Sequence, residues 1–181
     1  MNMSDNIAEV LYSEAELEEI CARLGKQISE DYKGKNLFVV GVLKGSLMFM
    51  ADLIRHITIP CEIDFLSVSS YGSGTSTSGE VQLIKDLTCP LQDKDLLVVE
   101  DILDSGVTLS FLLETLSARH PSSIRLCTLL DKPARRKVDI KADYVGGEVD
   151  DKFIVGYGLD FAQKYRNLPY IGVLKPEAYE N

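Results

Sequence analysis

The chain repeats one pattern of apolar and polar positions. Leu37–Leu43 (LFVVGVL) and Leu96–Val99 are unbroken apolar runs, as expected of strands buried on both faces. Each gives way to a short loop and then to apolar positions at helical spacing. Lys44-Gly45-Ser46 leads into Leu47–His56. An acidic turn, Glu100-Asp101, and the loop Asp104-Ser105-Gly106-Val107-Thr108 lead into a helix through Leu116. Two strand–loop–helix units predict a parallel sheet with right-handed crossovers. Cys61–Val68 and Ile124–Leu130 read as further strands, and Glu80–Ile84 as the returning arm of a long hairpin. Ser13-Glu14-Ala15-Glu16 has the form of a capping box. Leu17, Ile20, Cys21, Leu24 and Ile28 then mark an amphipathic helix. Lys33-Gly34-Lys35-Asn36 and Pro90–Asp95 read as turns, and Tyr144–Val149, Phe153–Tyr157 and Tyr170–Leu174 as short strands.

The 181 residues suit one domain over 1–181. The N-terminus lacks a signal-peptide core, and no apolar run approaches the roughly 20 residues of a membrane span, so a cytoplasmic protein is expected. Cys21, Cys61, Cys89 and Cys127 are widely spaced, and the only histidines are His56 and His120. That argues against zinc and for free, mostly buried thiols in a reducing compartment. A formal net charge of −9 opposes a general nucleic-acid or anionic-membrane surface. A polyphosphate ligand would have to be held locally, by Mg²⁺ and a few placed cations.

In an open α/β sheet, ligands bind at the carboxyl ends of strands, where the loop after Val99 falls. Gly106 admits close backbone approach, and Ser105 and Thr108 offer hydroxyls. The amides opening the next helix have no intrahelical partner and suit a phosphate. Glu100 and Asp101 would repel that phosphate; ribose hydroxyls and a hydrated Mg²⁺ suit them better. As extended neighbours they point to opposite faces and cannot serve one atom directly. Asp104, nearer the helix, is placed to accept a proton. The same residues also read as a plain helix start, with Asp104 or Ser105 as N-cap.

Lys44 beside Gly45 suits a pyrophosphate, or is a solvated loop lysine; the spacing is not that of a Walker A loop. Ser69–Gly79 is small and hydroxylated with Tyr71 its one bulky residue, so it reads as a linker or as a lid. A lid would keep water from a reactive centre beneath it. Lys132 closes the Ile124–Leu130 strand and either donates to a base carbonyl or is an ordinary surface lysine. The neighbouring Arg135-Arg136-Lys137 reads as a solvated turn or a subunit contact. Phe153 offers an apolar plate to a flat base, although core packing is the simpler reading of the residue itself.

The segment from Val98 to Leu109, VVEDILDSGVTL, resembles the phosphoribosyl-pyrophosphate loop of purine phosphoribosyltransferases, most closely the bacterial hypoxanthine(-guanine) type. Five blocks between about Leu37 and Arg166 follow the family's order. The resemblance implies a type I phosphoribosyltransferase fold: α/β, with a central mostly parallel sheet flanked by helices, a small hood from the chain ends, and a flexible lid at about 69–80 that includes Ser70 and Tyr71. It also implies purine salvage. A 5-phosphoribosyl group would pass from phosphoribosyl pyrophosphate to hypoxanthine and/or guanine, giving IMP or GMP and pyrophosphate, with Mg²⁺ as cofactor and a homodimer or homotetramer as the assembly.

Residue roles follow from the same resemblance. Glu100 and Asp101 would bind ribose hydroxyls and metal, with Asp160 helping to hold the metal. Asp104, Ser105, Gly106, Val107 and Thr108 would cradle the 5′-phosphate. Lys44, Gly45 and Arg166 would hold pyrophosphate, with the peptide before Lys44 cis. Lys132 would meet the 6-oxo group and Phe153 would stack on the purine, while Ile102, Ile154 and Asp160 complete the site. Asp104 would take the N7 proton as N9 attacks the anomeric carbon. Two other classes compete: a phosphoribosyltransferase for adenine, xanthine or a pyrimidine, and an RNA-binding regulator on this fold. Lys132 disfavours adenine, and the net charge opposes RNA.

Overall fold

A computed structural model describes residues 3–70 and 81–179. Six strands form the main sheet: β2 (Leu37–Leu43), β3 (Glu62–Ser70), β4 (Val81–Lys85), β5 (Asp95–Leu103), β6 (Ser123–Asp131) and β7 (Tyr144–Glu148). Their order is β4-β3-β2-β5-β6-β7. Only the β3–β4 pair is antiparallel, as a hairpin requires; the others are parallel.

Alternation along β2 and β5 sorts the core into two layers. Phe38, Val40, Val42, Leu96 and Val98 face Leu109, Leu112 and Leu116 of helix α3 (Val107–Ser117). Leu37, Val39, Leu97 and Val99 face the other way. They meet Phe49, Met50 and Leu53 of α2 (Leu47–Arg55), together with the apolar stripe of α1 (Glu14–Asp31). The crossovers after β2 and β5 therefore leave from opposite faces. Strand order turns back between these two neighbours, and a crevice opens at their carboxyl ends. The helix α1 starts as its sequence predicts. Ser13 Oγ accepts from the Glu16 amide at 3.3 Å and the Glu16 carboxylate accepts from the Ser13 amide at 2.8 Å.

The chain ends build a second sheet. β1 (Ile7–Tyr12), β9 (Ile171–Leu174) and β8 (Ile154–Val155) pair antiparallel in the order β1-β9-β8.

Several expectations need correction. Glu100 and Asp101 are not a turn: pairing with β6 continues through Glu100–Thr128, Ile102–Leu130 and Leu103–Asp131, so β5 carries the acids inside it. Neither Asp104 nor Ser105 caps α3. The N-cap is Gly106 at φ +79°, with no side-chain cap bond, a conformation that a Cβ would disfavour. Phe153 is not core; it lies outside β8 with 42% of its surface exposed. All four cysteines are free, but only Cys21 and Cys127 are buried. Of the expected lid pair, Tyr71 lies outside the described residues and Ser70 ends β3. Among the described residues no helix is long and apolar enough to cross a membrane.

Candidate active site

The end of β5 brings its two acids together in an unforeseen way. Each carboxylate folds back over its own strand. Glu100 Oε1 accepts from the Asp101 amide at 3.1 Å, and Asp101 Oδ1 from the Ile102 amide at 2.7 Å. The two carboxyls thus become neighbours although the residues alternate across the strand. Both keep some accessible surface at the crevice mouth, yet protein surrounds them closely. Burial first, then the adjacent Asp101, pushes the Glu100 carboxyl well above the usual range, and burial raises Asp101 as well. Such a pair is discharged by a cation or by donors such as sugar hydroxyls. Among the described residues no three His, Cys, Asp or Glu side chains gather into a metal cage. Two carboxylates at an open edge fit Mg²⁺, which takes one or two carboxylates and fills its shell with substrate oxygens and water. Asp160 does not join them. It pairs with Arg166 at 2.8 Å and accepts from the Gln163 amide at 2.8 Å.

Facing this pair across the switch point is the loop after β2. The Leu43–Lys44 peptide is cis, as the family resemblance led us to expect. A Cβ at Gly45 would overlap the Asp101 carboxylate, so only glycine lets this backbone approach the acids. Lys44 Nζ donates to Gln163 Oε1 at 3.1 Å, and the Arg166 guanidinium donates to the same oxygen at 3.3 Å. The structure therefore brings together the two cations assigned to pyrophosphate. Gln163, which the sequence did not single out, is the group that joins them.

Downstream of the acids, Asp104, Ser105 and Gly106 run into α3, whose first turn carries no acid. Its positive end is left for an anion. Ser105 Oγ accepts from the Val107 amide at 3.4 Å. The segment after β6 braces this loop. Arg136 donates to Asp104 O at 3.1 Å, to Leu103 O at 3.3 Å and to Ile140 O at 2.6 Å, and it pairs with Asp131. The Lys137 amide donates to Ser105 O at 2.9 Å. Within the basic cluster Arg135 and Lys137 are exposed, as a solvated turn would leave them, but Arg136 turns inward to the carbonyls at the end of β5.

A cavity of about 350 Å³ lies beside the loop. Ile102 lines it from β5, Asp104 from the loop just after β5 and Lys132 from just past the end of β6. Phe153, Ile154 and Asp160 line it from the stretch around β8. Every residue assigned to the purine therefore meets Asp104 around one space. Lys132 is 5% exposed; its ammonium donates to Lys152 O at 2.8 Å and lies 3.5 Å from Asp151. It is a buried donor in the cavity wall, not a surface lysine. Asp104 Oδ1 is buried without a hydrogen bond among the described residues; Arg135 Nε stands 3.9 Å away. A larger cavity, about 700 Å³, lies between α1, α2 and the Asn167–Pro169 turn. It holds none of the β5 acids and no part of the phosphate loop, so the smaller one is the candidate site.

A parallel sheet edge with paired acids, a glycine loop entering a helix and a cavity beside it is the arrangement expected of a phosphoribosyl transferase. The chain belongs to that family, whose domain model matches residues 8–162. Within it, the chain is 54% identical over 179 residues to the hypoxanthine-guanine phosphoribosyltransferase of Staphylococcus aureus, covering 99% of this chain and 100% of the relative. The crystal structure of a hypoxanthine phosphoribosyltransferase from Staphylococcus aureus matches with a TM-score of 0.95 at 54% identity, over 99% of this chain and 97% of that one. A hypoxanthine phosphoribosyltransferase from Trypanosoma cruzi, solved as a ternary substrates complex, matches with a TM-score of 0.91 at 37% identity, over 97% and 99% of the two chains.

Proposed function

We propose that the protein is a purine salvage enzyme that transfers the 5-phosphoribosyl group of phosphoribosyl pyrophosphate to hypoxanthine or guanine, giving IMP or GMP and pyrophosphate. One observation carries this reading: Asp104, Lys132 and Phe153 line a single cavity next to the loop that opens α3. That is a proton acceptor, a donor for a 6-oxo group and a stacking plate. The amides opening α3, with Ser105, Gly106, Val107 and Thr108, hold the 5′-phosphate. Glu100 and Asp101 hold the ribose hydroxyls and are the residues that would hold Mg²⁺. When bound with the substrate, Mg²⁺ supplies charge neutralisation at the leaving pyrophosphate. Lys44, Gly45 and Arg166 hold that pyrophosphate, the guanidinium giving a two-pronged contact that an ammonium lacks.

With both substrates seated, N9 of the base faces the anomeric carbon. As the C–N bond forms and the C–O bond to pyrophosphate breaks, Asp104 accepts the N7 proton. Lys132 donates to O6, and Ile102 packs against the ring from the side of β5. The small sheet acts as a hood of the same unit, and the segment that includes Ser70 and Tyr71 acts as a lid against water. The protein works in the cytoplasm, as a homodimer or homotetramer.

The test is pyrophosphate release from phosphoribosyl pyrophosphate with hypoxanthine, guanine, xanthine and adenine in turn, with and without Mg²⁺. Release with hypoxanthine or guanine that disappears on chelation is expected. Release with adenine and with neither 6-oxopurine would overturn the assignment.

A further inference from the structure

We infer that Tyr179 is a positioning residue for the purine, acting through the Phe153 ring on which it stacks; this role rests on the purine-binding reading of the cavity. Two rings hold Phe153. Tyr179 stacks on it with centroids 4.8 Å apart and planes 18° from parallel, and Phe161 meets it edge-on at 5.6 Å and 85°. Phe161 and Tyr179 touch in turn, at 6.4 Å and 68°. A ring covered on one face and one edge that is still 42% exposed keeps its other face open. Phe153 and Tyr179 both line the cavity, together with Ile102 and Lys132.

The backing ring is itself anchored. The Tyr179 amide donates to Pro176 O at 3.1 Å, closing the turn that follows β9. Ala178 and Tyr179 pack on the cluster of Val155 and Leu174. Phe153 needs such support, because it sits in a loop before a strand of only two residues. An exposed phenyl ring there would have to give up rotamer freedom each time a base arrived. Stacking on Tyr179 fixes its plane in advance, and binding is strengthened when the receiving group is already ordered.

Steady-state kinetics of the full chain test this, with wild type, Tyr179→Ala and Tyr179→Phe measured together. Tyr179→Ala is expected to raise the KM for hypoxanthine by about 2- to 12-fold, the range an aromatic pair commands. It should leave kcat and the KM for phosphoribosyl pyrophosphate unchanged, and Tyr179→Phe should restore the wild-type KM. A general loss of structure would instead raise both KM values and lower the melting temperature. An unchanged hypoxanthine KM, or an equal rise in both, overturns the role. So does a lowered one, which would mean that Tyr179 stands in the space of the base itself. If the wild type turns over neither hypoxanthine nor guanine, the purine reading falls and this role falls with it. A normal wild type beside an unaffected variant removes only Tyr179.

Discussion

Tyr157 donates its hydroxyl hydrogen to Asp52 Oδ2 at 2.6 Å, tying the loop that follows the small sheet's shortest strand to the helix α2. Tyr157 sits at φ +51°, and its amide donates to Leu168 O at 2.9 Å. Burial first, then the bond to Asp52, hold its phenol above the ordinary range, so it stays a donor at any ordinary pH. Tyr157→Phe removes this bond without changing the ring. Asp52 remains partly exposed, with Arg55 at 3.6 Å, so water can replace the lost donor. The expected loss is about 1 kcal/mol, or a melting temperature lower by about 2–4 °C. An unshifted melting curve would show that the bond adds no net stability.

Gly45 against Asp101 makes a sharper prediction. Because a Cβ there would overlap the Asp101 carboxylate, Gly45→Ala must move either the loop that carries Lys44 or the acid itself. Misplacement of about 1 Å in a positioned site is worth on the order of 10²-fold in rate. Turnover should fall by about that factor while the circular dichroism spectrum is retained. Wild-type kinetics would mean the loop has room to yield.

The parts that were legible in the sequence are those fixed by local rules. The apolar runs of β2 and β5 are buried on both faces, so they read as strands without a partner. Ser13 and Glu16 cap α1 within one turn of chain, and Ser105-Gly106 marks the entry to a helix, although the cap falls on Gly106 and not on Asp104 or Ser105. What was not legible depends on distant chain. The strand β5 extends through Glu100 and Asp101 because β6 is there to pair with it. Arg136 turns inward because Leu103 and Asp104 offer carbonyls, which no pattern around Arg136 reveals. Gln163 meets Lys44 across a separation of 119 residues. Phe153 reads as core in isolation. It is exposed where it borders the cavity beside the end of β5.

Asp64 on β3 should make stability depend on acid. Burial works to raise its pKa. Hydrogen bonds from the Thr88 and Phe65 amides, the Thr88 hydroxyl and Lys85 outweigh burial and hold it at about 2, against 3.8 ordinarily. A carboxyl depressed in the folded state stabilises above its unfolded pKa, and that stabilisation is lost as pH falls through the folded one. The contribution is therefore complete above about pH 5 and fades between pH 4 and 2. Asp64 is 12% exposed in its side chain, so the shift corresponds to about 2 kcal/mol. Asp64→Asn should lose about that much in urea melts at pH 7 and show a shrinking difference toward pH 2. A difference independent of pH would assign the loss to geometry and not to charge.

Gln163 places a neutral oxygen where Lys44 and Arg166 both donate, at 3.1 and 3.3 Å. On the proposed reading an incoming pyrophosphate must displace it. Removing the amide by Gln163→Ala takes this shared contact from both cations in advance, while Arg166 stays paired with Asp160 at 2.8 Å and bonded to Gly158 O at 2.6 Å. With about 0.5–1.5 kcal/mol per displaced bond, pyrophosphate should inhibit the variant at concentrations several-fold lower. Weaker inhibition would give Gln163 the opposite role, that of holding the two cations in register.

Asp104 offers the cleanest separation of chemistry from folding. Its backbone is fixed, since Arg136 donates to its carbonyl oxygen at 3.1 Å. Its side chain is not: Oδ1 is buried without a hydrogen bond among the described residues, 3.9 Å from Arg135. Asp104→Asn keeps the shape and removes the ability to accept a proton. With no side-chain hydrogen bond to Oδ1 to lose, stability should stay within about 0.5 kcal/mol of wild type. A positioned base contributes about 10²–10⁴-fold, so kcat should fall by that order. The KM for phosphoribosyl pyrophosphate should scarcely move, because Ser105 to Thr108 and the Glu100–Asp101 pair are untouched. If kcat survives, the N7 proton leaves by another route and Asp104 only shapes the pocket. If kcat and stability fall together, its carboxylate is needed beside Arg135 for structure.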